Sequence, residues 1–441
     1  AGTAYAWPAL LVDRFARYVL DGCRWMVRGR TFDPGAVGRE ITRPGHSAAR
    51  FYGGLRALAG CAHARQAEAR ASAARDPAAG GSLVTGNRHF WCSDLMTQHR
   101  PAYYLSVRVP SPRVVNADWP CCGGEGRLCH HMADGATVIM RDGDEYRDIY
   151  PVWNWRQLPG VTAVQQPVFD PDALRAAGER PFAGGASDGG VGCAAVDFAR
   201  AGLSAKKSWF LFDDGMVALG ADITGDADHP VRTTLNQCRW RTPAYLDGVD
   251  GPLAAGTYPL APGSAFRQDG VTYRILDGQG ALTLGPQSGA WSDCGVGPAE
   301  RQTLSVLNAG LDHGARPRGA AYAYAVLPGA PEGFADDPAR FVIVRNDAAR
   351  QAVWHAGDRR GHAVFYEPGA VTFPDGQRIA VDRPCILLYH PGPSTVFTVA
   401  QPEGGDGLVT LRLAGPITAT LGVSLPTGDY AGASHTLCWY L

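Results

Sequence analysis

Residues Asn87 to Thr162 read NRHFWCSDLMTQHRPAYYLSVRVPSPRVVNADWPCCGGEGRLCHHMADGATVIMRDGDEYRDIYPVWNWRQLPGVT. Within this stretch, YYLSVRV (residues 103–109) alternates apolar and polar side chains, the two-residue period of a strand with one buried face. The residues before the stretch read as helix, and those after it read almost wholly as β-structure. The stretch therefore lies where two architectures meet, a common position for a binding cleft.

The upstream residues form two helical segments by pattern. Between Tyr5 and Arg28, apolar residues recur at three- and four-residue steps, which predicts an amphipathic helix that ends near Gly29. A turn-rich connector follows, TFDPGAVGREITRPG (residues 31–45). Ser47 to Arg75 predicts a second helical stretch with room for one break, and DPAAGGS (residues 76–82) predicts a linker. The apolar face of the first helix comprises Leu11, Phe15, Tyr18, Val19 and Met26.

The downstream residues consist of short β-type runs separated by Gly, Asp and Pro, with no helices of the length that parallel crossovers need. This pattern predicts antiparallel sandwiches, so the fold class is α+β. We expect a helical domain at residues 1–82, a central β-sandwich domain at 83–335 and a C-terminal β-domain at 336–441. The runs are SWFLF, MVALGADI, VTYRIL, AYAYAVL, FVIVR and LVTLRL.

The overall charge excludes two classes of partner. Forty-one Lys and Arg residues oppose 42 Asp and Glu residues, so the formal net charge is -1. No global field therefore recruits nucleic acid or an anionic membrane, and a polyanion must be held locally. No apolar run is long enough to span a bilayer, and the first ten residues lack a signal-peptide pattern. The eleven cysteines leave the cellular compartment open.

An ordered set of strings resembles the family-8 polysaccharide lyases, which are the hyaluronate, chondroitin and xanthan lyases; the chondroitin AC lyases are the most similar group. The resemblance implies the last helices of an incomplete (α/α) toroid followed by large antiparallel β-sandwich domains. It also implies a secreted or periplasmic protein that acts without a cofactor on chondroitin or hyaluronan. The strings are GREITRPG, HMADGATVIMRDGDEYRDIYPVWNWRQLPGVT, FAGGASDGGVGCAAVDF, AKKSWFLFDDGMVALGADI, TTLNQ and LDHGARPRGAAYAYAVLPG.

The family reaction is β-elimination at a uronic acid. It needs charge neutralisation at the carboxylate, a base for the C5 proton and an acid for the leaving oxygen. In the family these roles fall to an Asn, a His, a Tyr and an Arg, of which only the arginine element carries over, as Arg39 and Arg43. We expect Arg39→Ala to weaken polyanion binding without unfolding the chain. In the family the other three groups come from helices upstream of this connector. We therefore expect this chain to be the C-terminal portion of a longer lyase and to be inactive alone. Its expected partner is the helical portion of the same enzyme.

Residues 116–131 are expected to face the substrate cleft. Where the family carries N-x-E-N, this chain has Gly-Gly-Glu-Gly, in which only Glu125 matches. We assign Asn116, Glu125 and Arg100 as substrate-binding candidates. The resemblance also implies that the calcium site of some chondroitin lyases is missing, because carboxylates are replaced there by Asn154, Arg156 and Gln165. No metal is expected.

Several residues have two possible roles. Cys121, Cys122, Cys129, His130 and His131 form a zinc-type ligand set, but their spacing fits no standard motif and structural cysteines are favoured. His131 is also a minor candidate for the catalytic base, since related uronate lyases place a histidine on the β-domain. The alternatives for function are therefore a non-catalytic carbohydrate-binding portion and a lyase that uses His131.

Three further features are expected to be structural. His46 and Tyr52 could mimic a base and acid pair, but a six-residue separation does not bring them together, and Tyr52 is expected to pack. Trp153 and Trp155 are expected on one face of a strand as anchors, with sugar stacking as the alternative. Lys206 and Lys207 are expected to flank a strand as gatekeepers. The segment GGASDGGVG predicts a turn, since it lacks the helix context of a phosphate loop.

Overall fold

The computed structural model describes residues 7–116, 124–167, 176–329, 337, 339–405 and 407–440. The N-terminal part is helical and everything after Gly86 is mainly sheet. The first helix, α1, spans Ala9–Arg17 and continues as a π-turn, Tyr18–Gly22, and a 3-10 turn, Cys23–Met26. The other α-helices are Pro34–Val37, Ala49–Gly60, Gln66–Ala73 and Trp291–Cys294.

Both predicted helical segments are present, but the first is shorter than expected. The chain leaves helical geometry at Val27 because Val27–Arg28 pairs with Thr31–Phe32 in a two-stranded hairpin. Gly29 lies in the turn at φ +55°, a backbone conformation that favours glycine. The second segment is broken once, as allowed, between Gly60 and Gln66.

The apolar face of α1 is largely exposed. Leu11, Phe15 and Tyr18 keep 43%, 36% and 66% of their accessible surface, whereas Val19 keeps 5%. Val19 packs with Leu20, Tyr52 and other residues in a small helical core. A stripe of large apolar side chains left in solvent marks a surface that another element can cover.

The central region contains three antiparallel sheets. The four-stranded sheet holds Gly86–Phe90, Leu95–Arg100, Tyr103–Arg108 and Ala136–Met140 in that order. In the eight-stranded sheet the order is Tyr245–Leu246, Ala265–Gln268, Val271–Asp277, Ala320–Pro328, Gly215–Gly225, Leu203–Phe212, Gly192–Arg200 and Ala183–Ser187. In the five-stranded sheet it is Gly256–Leu260, Gly280–Gly289, Gln302–Ala315, Pro230–Arg239 and Thr162–Val164.

The C-terminal region adds two further sheets. One has six strands, ordered Phe341–Asn346, Arg350–His355, Arg360–Phe365, Cys385–His390, Ser394–Ala400 and His435–Tyr440. The other has four, ordered Gly369–Thr372, Arg378–Val381, Leu408–Ala414 and Ala419–Ser424. Every strand pair among the described residues is antiparallel, so the prediction of antiparallel sandwiches with few helices is confirmed.

The eight-stranded sheet is buried on both faces. In Leu203–Phe212, Trp209 and Leu211 enter the main core against the other central sheets, whereas Phe210 and Phe212 enter a core shared with the six-stranded sheet. Burial on both faces explains why SWFLF reads as a continuous apolar run rather than as alternation. The expected domain boundary at residues 335 and 336 lies outside the described residues, and the division into domains stays a prediction.

Lys206 and Lys207 do not flank a strand, and the gatekeeper prediction is wrong for Lys207. Both lie inside Leu203–Phe212, and Lys207 is fully buried. Its Nζ donates to the carbonyl oxygen of Gly160 at 2.7 Å and lies 5.1 Å from the ring centre of Trp209. Burial lowers the pKa of Lys207 to about 7, although the charge of Asp134 opposes the shift.

The depressed pKa of Lys207 predicts a pH-dependent stability. Because the unfolded chain binds the lysine proton more tightly than the folded chain does, the free energy of unfolding should rise between about pH 7 and pH 9. In Lys207→Met this component should be absent, as measured by urea denaturation at several pH values. Lys206→Met is the matched control, since Lys206 pairs with Asp197 at 2.6 Å. Equal pH slopes in wild type and Lys207→Met would contradict the prediction.

No helix in the described part of the chain combines the length and apolar character that a bilayer crossing requires.

Candidate functional site

The arginine connector folds against the loop that follows residue 123. Residues Pro34–Val37 form a short helix, whose first turn is capped by Asp33: its carboxylate accepts the amide of Gly35 at 2.6 Å. The hydroxyl of Tyr104, on the four-stranded sheet, donates to the same carboxylate. A 3-10 helix, Gly38–Thr42, follows and carries Arg39. The turn residues predicted as a loop therefore build a rigid support for the two arginines.

Arg43 and Glu125 form a bidentate ion pair. The Nε and Nη2 atoms of Arg43 donate to Oε1 and Oε2 of Glu125 at 2.5 and 2.7 Å. Arg39 completes the cluster, with its Nε 3.9 Å from Oε2 of the same carboxylate. Gly126 permits this approach, because a Cβ there would lie 2.9 Å from the Cβ of Arg39, and its φ of +78° also favours glycine. The structure thus brings together three residues that the sequence assigns to the site.

The cluster has an excess of positive charge. The Glu125 side chain is only 3% exposed, whereas the side chains of Arg39 and Arg43 are 36% and 44% exposed. Hydrogen bonding from Arg43 holds the pKa of Glu125 below its usual value, and the carboxylate in turn raises the pKa of Arg43. One buried carboxylate therefore orients two exposed cations. Such a fork suits a carboxylate or sulfate ligand, which accepts paired N–H donors.

Asn116 lies in the interior rather than on the cleft surface. Its side chain is fully buried, where Oδ1 accepts the amide of Ala176 at 3.0 Å and Nδ2 donates to the carbonyl of His130. The side-chain amide bridges two backbone segments. This geometry favours a structural role that anchors the Glu125 loop, and a substrate contact by Asn116 stays a prediction.

Arg100 lies at the other end of the four-stranded sheet from Arg108. It donates to Asp213 at 2.6 Å and to the carbonyl of Gly190 at 2.7 Å, and its side chain is 11% exposed. Arg100 pairs with Tyr103 in the strand register, whereas Arg108 contacts Gly35 beside the arginine connector. The structure does not bring Arg100 to the cluster of Arg39, Arg43 and Glu125, and its contacts join two sheets.

His131 belongs to a separate charged group. Its Nδ1 lies 2.8 Å from Oδ2 of Asp134, whose Oδ1 accepts a hydrogen bond from Nε of Arg200 at 3.0 Å and lies 2.8 Å from Nη2 of the same guanidinium. Burial by itself would raise the pKa of Asp134, but hydrogen bonding from His131 and the charge of Arg200 hold it below its usual value. The carboxylate favours the tautomer with hydrogen on Nδ1, which leaves Nε2 as the acceptor that a base requires.

The space beside His131 is small. The cavity measures about 100 Å³, well below the range of about 300–1,000 Å³ that small-molecule sites occupy. Its lining includes His131, Thr162 and Arg200 but none of the residues of the arginine cluster. His131 therefore has the tautomer of a base without room for a sugar ring, and its catalytic role stays a prediction.

The proposed zinc ligands cannot all be placed. Cys121 and Cys122 lie outside the described residues. Cys129 is buried, and the rings of His130 and His131 are 4.2 Å apart between centres. Within the described ranges, no three His, Cys, Asp or Glu side chains are grouped in a way that could hold a metal ion.

His46 and Tyr52, which were considered as a base and acid pair, do not contact each other through their polar atoms in the structure. His46 lies 2.9 Å from the carbonyl of Phe32 through Nε2, whereas the buried Tyr52 donates to the carbonyl of Gly29 at 2.9 Å. Burial lowers the pKa of His46. As expected, Tyr52 packs, with Phe51 at 5.3 Å between ring centres.

The two tryptophans anchor a loop rather than a strand. Trp153 and Trp155 follow a 3-10 turn, Tyr150–Val152, so the prediction of a strand was wrong, although both rings are buried as expected for anchors. They border a cavity of about 500 Å³. In the same loop, Arg156 donates through Nη1 to the carbonyls of Gln166 and Pro167. The Arg156 guanidinium thus lies at one of the positions where, by the resemblance, some chondroitin lyases carry the carboxylates of a calcium site.

Asp134 and Arg200 were missed by sequence reasoning, and Lys207 was wrongly expected to flank a strand. Asp134 lies in the loop just before Ala136–Met140, and Arg200 ends Gly192–Arg200. No sequence spacing relates them, because the sheet brings them together from positions 66 residues apart. An arginine and a lysine inside otherwise apolar strands were the available signal, since such groups are buried only with partners.

Comparisons with known proteins agree with this architecture. The model of the polysaccharide lyase family 8 super-sandwich domain matches residues 85–337, and that of the family's C-terminal beta-sandwich domain matches residues 342–406. Chondroitinase-AC of Pedobacter heparinus is 30% identical over 452 residues, which cover 99% of this chain and 64% of that protein. Hyaluronate lyase of Thermasporomyces composti is 27% identical over 356 residues, covering 76% and 45%.

A solved structure of a chondroitinase AC lyase has a TM-score of 0.90 and 28% sequence identity, covering 99% of this chain and 67% of that one. The chain spans less than two thirds of the length of either curated relative. The super-sandwich match alone includes more than half of the 441 residues. The chain therefore belongs to polysaccharide lyase family 8.

Proposed function

We propose that this chain provides the arginine connector and the β-sandwich wall of the cleft in a lyase that cleaves a uronic-acid glycosaminoglycan, chondroitin or hyaluronan, by β-elimination. The observation that carries the proposal is the cluster in which buried Glu125 holds Arg43 bidentately and lies beside Arg39. The names of the relatives, Chondroitinase-AC and Hyaluronate lyase, support the same class of substrate.

The two guanidinium groups have a defined chemical task in this proposal. Removal of the C5 proton places negative charge next to the uronate carboxylate, and fixed cations stabilise that charge as it develops. Glu125 contacts Nε and Nη2 of Arg43, and the Arg43 side chain is 44% exposed, so we assign its Nη1 to the substrate. Glu125 acts as a positioning residue, because its carboxylate fixes the plane of the Arg43 guanidinium before substrate binds.

The proposal includes further helices that pack on α1, Ala9–Arg17. Leu11, Phe15 and Tyr18 form an exposed apolar stripe there, which is the type of surface that a neighbouring helix covers. We infer that the helices of the family's incomplete toroid lie against this stripe. In this proposal they carry the Asn, His and Tyr that complete the catalytic set.

Two assays in parallel test the proposed function. Residues 1–441 and the full natural gene product are incubated with chondroitin and with hyaluronan. Ultraviolet absorbance of the unsaturated uronate reports cleavage, and affinity electrophoresis reports binding. We expect the natural product to cleave at least one glycan and residues 1–441 to bind without cleavage. Binding without cleavage by the natural product would instead support a non-catalytic carbohydrate-binding protein.

A further inference from the structure

A groove separate from the arginine cluster runs beside the first strand of the four-stranded sheet, Gly86–Phe90. It measures about 590 Å³ and lies between the central and C-terminal regions of the chain. The N-terminal part contributes Trp25, the central region contributes Arg88 and Trp91, and the C-terminal region contributes Tyr430 and Ser434. Its size falls within the range of about 300–1,000 Å³ typical of ligand sites.

Two aromatic rings at one end of the groove are held in place. The ring centres of Trp91 and Tyr430 are 5.7 Å apart, with 33° between their planes. The indole Nε1 of Trp91 donates to the backbone carbonyl of Asp429 at 3.0 Å, which joins the two regions of the chain. Tyr430 nevertheless keeps 61% of its surface exposed. Large aromatic faces that stay in solvent are suited to contact the apolar face of a ligand.

The guanidinium of Arg88 packs on two aromatic rings. The Arg88 guanidinium carbon is 5.7 Å from the ring centre of Trp25 and 5.5 Å from that of Phe90. No carboxylate of the described residues forms an ion pair with Arg88, in contrast to Arg43 and Arg100. Arg88 is half-buried against the rings, so its orientation is set by packing rather than by a salt bridge. A guanidinium in this setting can receive an anionic group from a ligand.

We propose that this groove is a second, non-catalytic binding site for an acidic polysaccharide, with sugar rings against Trp91 and Tyr430 and a carboxylate or sulfate on Arg88. An acidic polysaccharide repeats apolar sugar faces and anionic groups along one chain, which matches aromatic rings and a cation arranged along one groove. The proposal rests on the proposed function for the identity of the polymer. It adds a site that would hold a long chain while the arginine cluster acts on another part of it.

The test uses residues 1–441 and unsulfated chondroitin polymer, with dissociation constants from affinity electrophoresis. The background variant is Arg39→Ala/Arg43→Ala, which removes the arginine cluster. We expect this background variant to retain polymer binding. Adding Tyr430→Ala to it should weaken the remaining affinity by about fivefold, the loss of one aromatic contact. Adding Arg88→Gln as well should weaken the affinity further and make it depend less on the salt concentration.

Matched variants separate this proposal from the proposed function. Tyr440→Ala removes another exposed tyrosine of the C-terminal region, 76% exposed and outside the groove, and should leave binding unchanged. If Tyr430→Ala and Arg88→Gln bind polymer as the background variant does, the groove proposal is wrong. If instead the background variant binds as wild type does and both groove variants lose binding, the arginine-cluster proposal is wrong and the groove proposal stands.

Discussion

Replacing Asp134 with alanine is expected to lower the free energy of unfolding by about 3–5 kcal/mol, the cost of breaking a buried ion pair. Asp134 is fully buried, accepts a hydrogen bond from Nε of Arg200 and lies 2.8 Å from its Nη2, and the Arg200 side chain is 6% exposed. It also accepts a hydrogen bond from His131. Alanine would remove the Asp134 carboxylate from beside the buried Arg200 charge. Urea denaturation at neutral pH measures the loss.

Two control variants define the origin of this loss. Asp134→Asn keeps the volume and one acceptor, so it should lose less stability than Asp134→Ala. Adding Arg200→Met to Asp134→Ala removes the buried cation that faced Asp134 and should recover part of the stability. Because the pKa of Asp134 is held below its usual value, its contribution is present above about pH 4 and is lost at lower pH. A loss below about 1 kcal/mol in Asp134→Ala would contradict the buried-pair account.

Arg43→Ala is expected to weaken the binding of chondroitin oligosaccharides by about ten- to a hundredfold, the range for one charge-assisted, bidentate contact. The reason is twofold. The variant removes one guanidinium, and it leaves the buried carboxylate of Glu125 facing the anionic substrate with only Arg39 nearby. Titration calorimetry on residues 1–441, with circular dichroism to verify the fold, measures the effect.

Arg50→Ala is the matched control for this prediction. Arg50 belongs to helix Ala49–Gly60, has an 84% exposed side chain and lies 3.3 Å from Glu40, outside the cluster around Glu125. It should therefore bind chondroitin as wild type does. Arg43→Lys should recover only part of the affinity, because an ammonium cannot replace the planar fork. Equal losses in the Arg43 and Arg50 variants would mean that net charge, rather than the cluster, governs binding.

Local sequence patterns predicted the helices and strands better than they predicted which surfaces of those elements are buried. The two-residue period at residues 103–109 and the Gly- and Pro-bounded apolar runs correctly indicated antiparallel sheets, because each strand needs only neighbouring residues to show its period. The periodicity of α1 was also correct, yet Leu11 and Tyr18 are exposed. Helical period reveals an apolar face, but it does not say what covers that face.

The candidate site was predictable only where the family resemblance supplied a motif. Arg39, Arg43 and Glu125 lie more than 80 residues apart in sequence at their extremes, and no local rule brings them together. Arg100 was also assigned to substrate binding, but the sheet register places it at the far end of its strand, paired with Asp213. Long-range strand pairing decides such positions, and one sequence does not display it.

The central claim is that Arg39 and Arg43 bind the uronate carboxylate. A thermodynamic cycle that combines substitution of the arginines with chemical reduction of the ligand's carboxylate tests it directly. Affinity is measured for chondroitin and for carboxyl-reduced chondroitin with two proteins that both carry Arg88→Gln, which removes the cation of the groove: Arg88→Gln alone and Arg39→Ala/Arg43→Ala/Arg88→Gln. The account predicts that carboxyl reduction weakens binding to Arg88→Gln but has little further effect on the triple variant, so the two changes are not additive. Strictly additive losses would show that the arginines and the carboxylate do not meet, and would contradict the account.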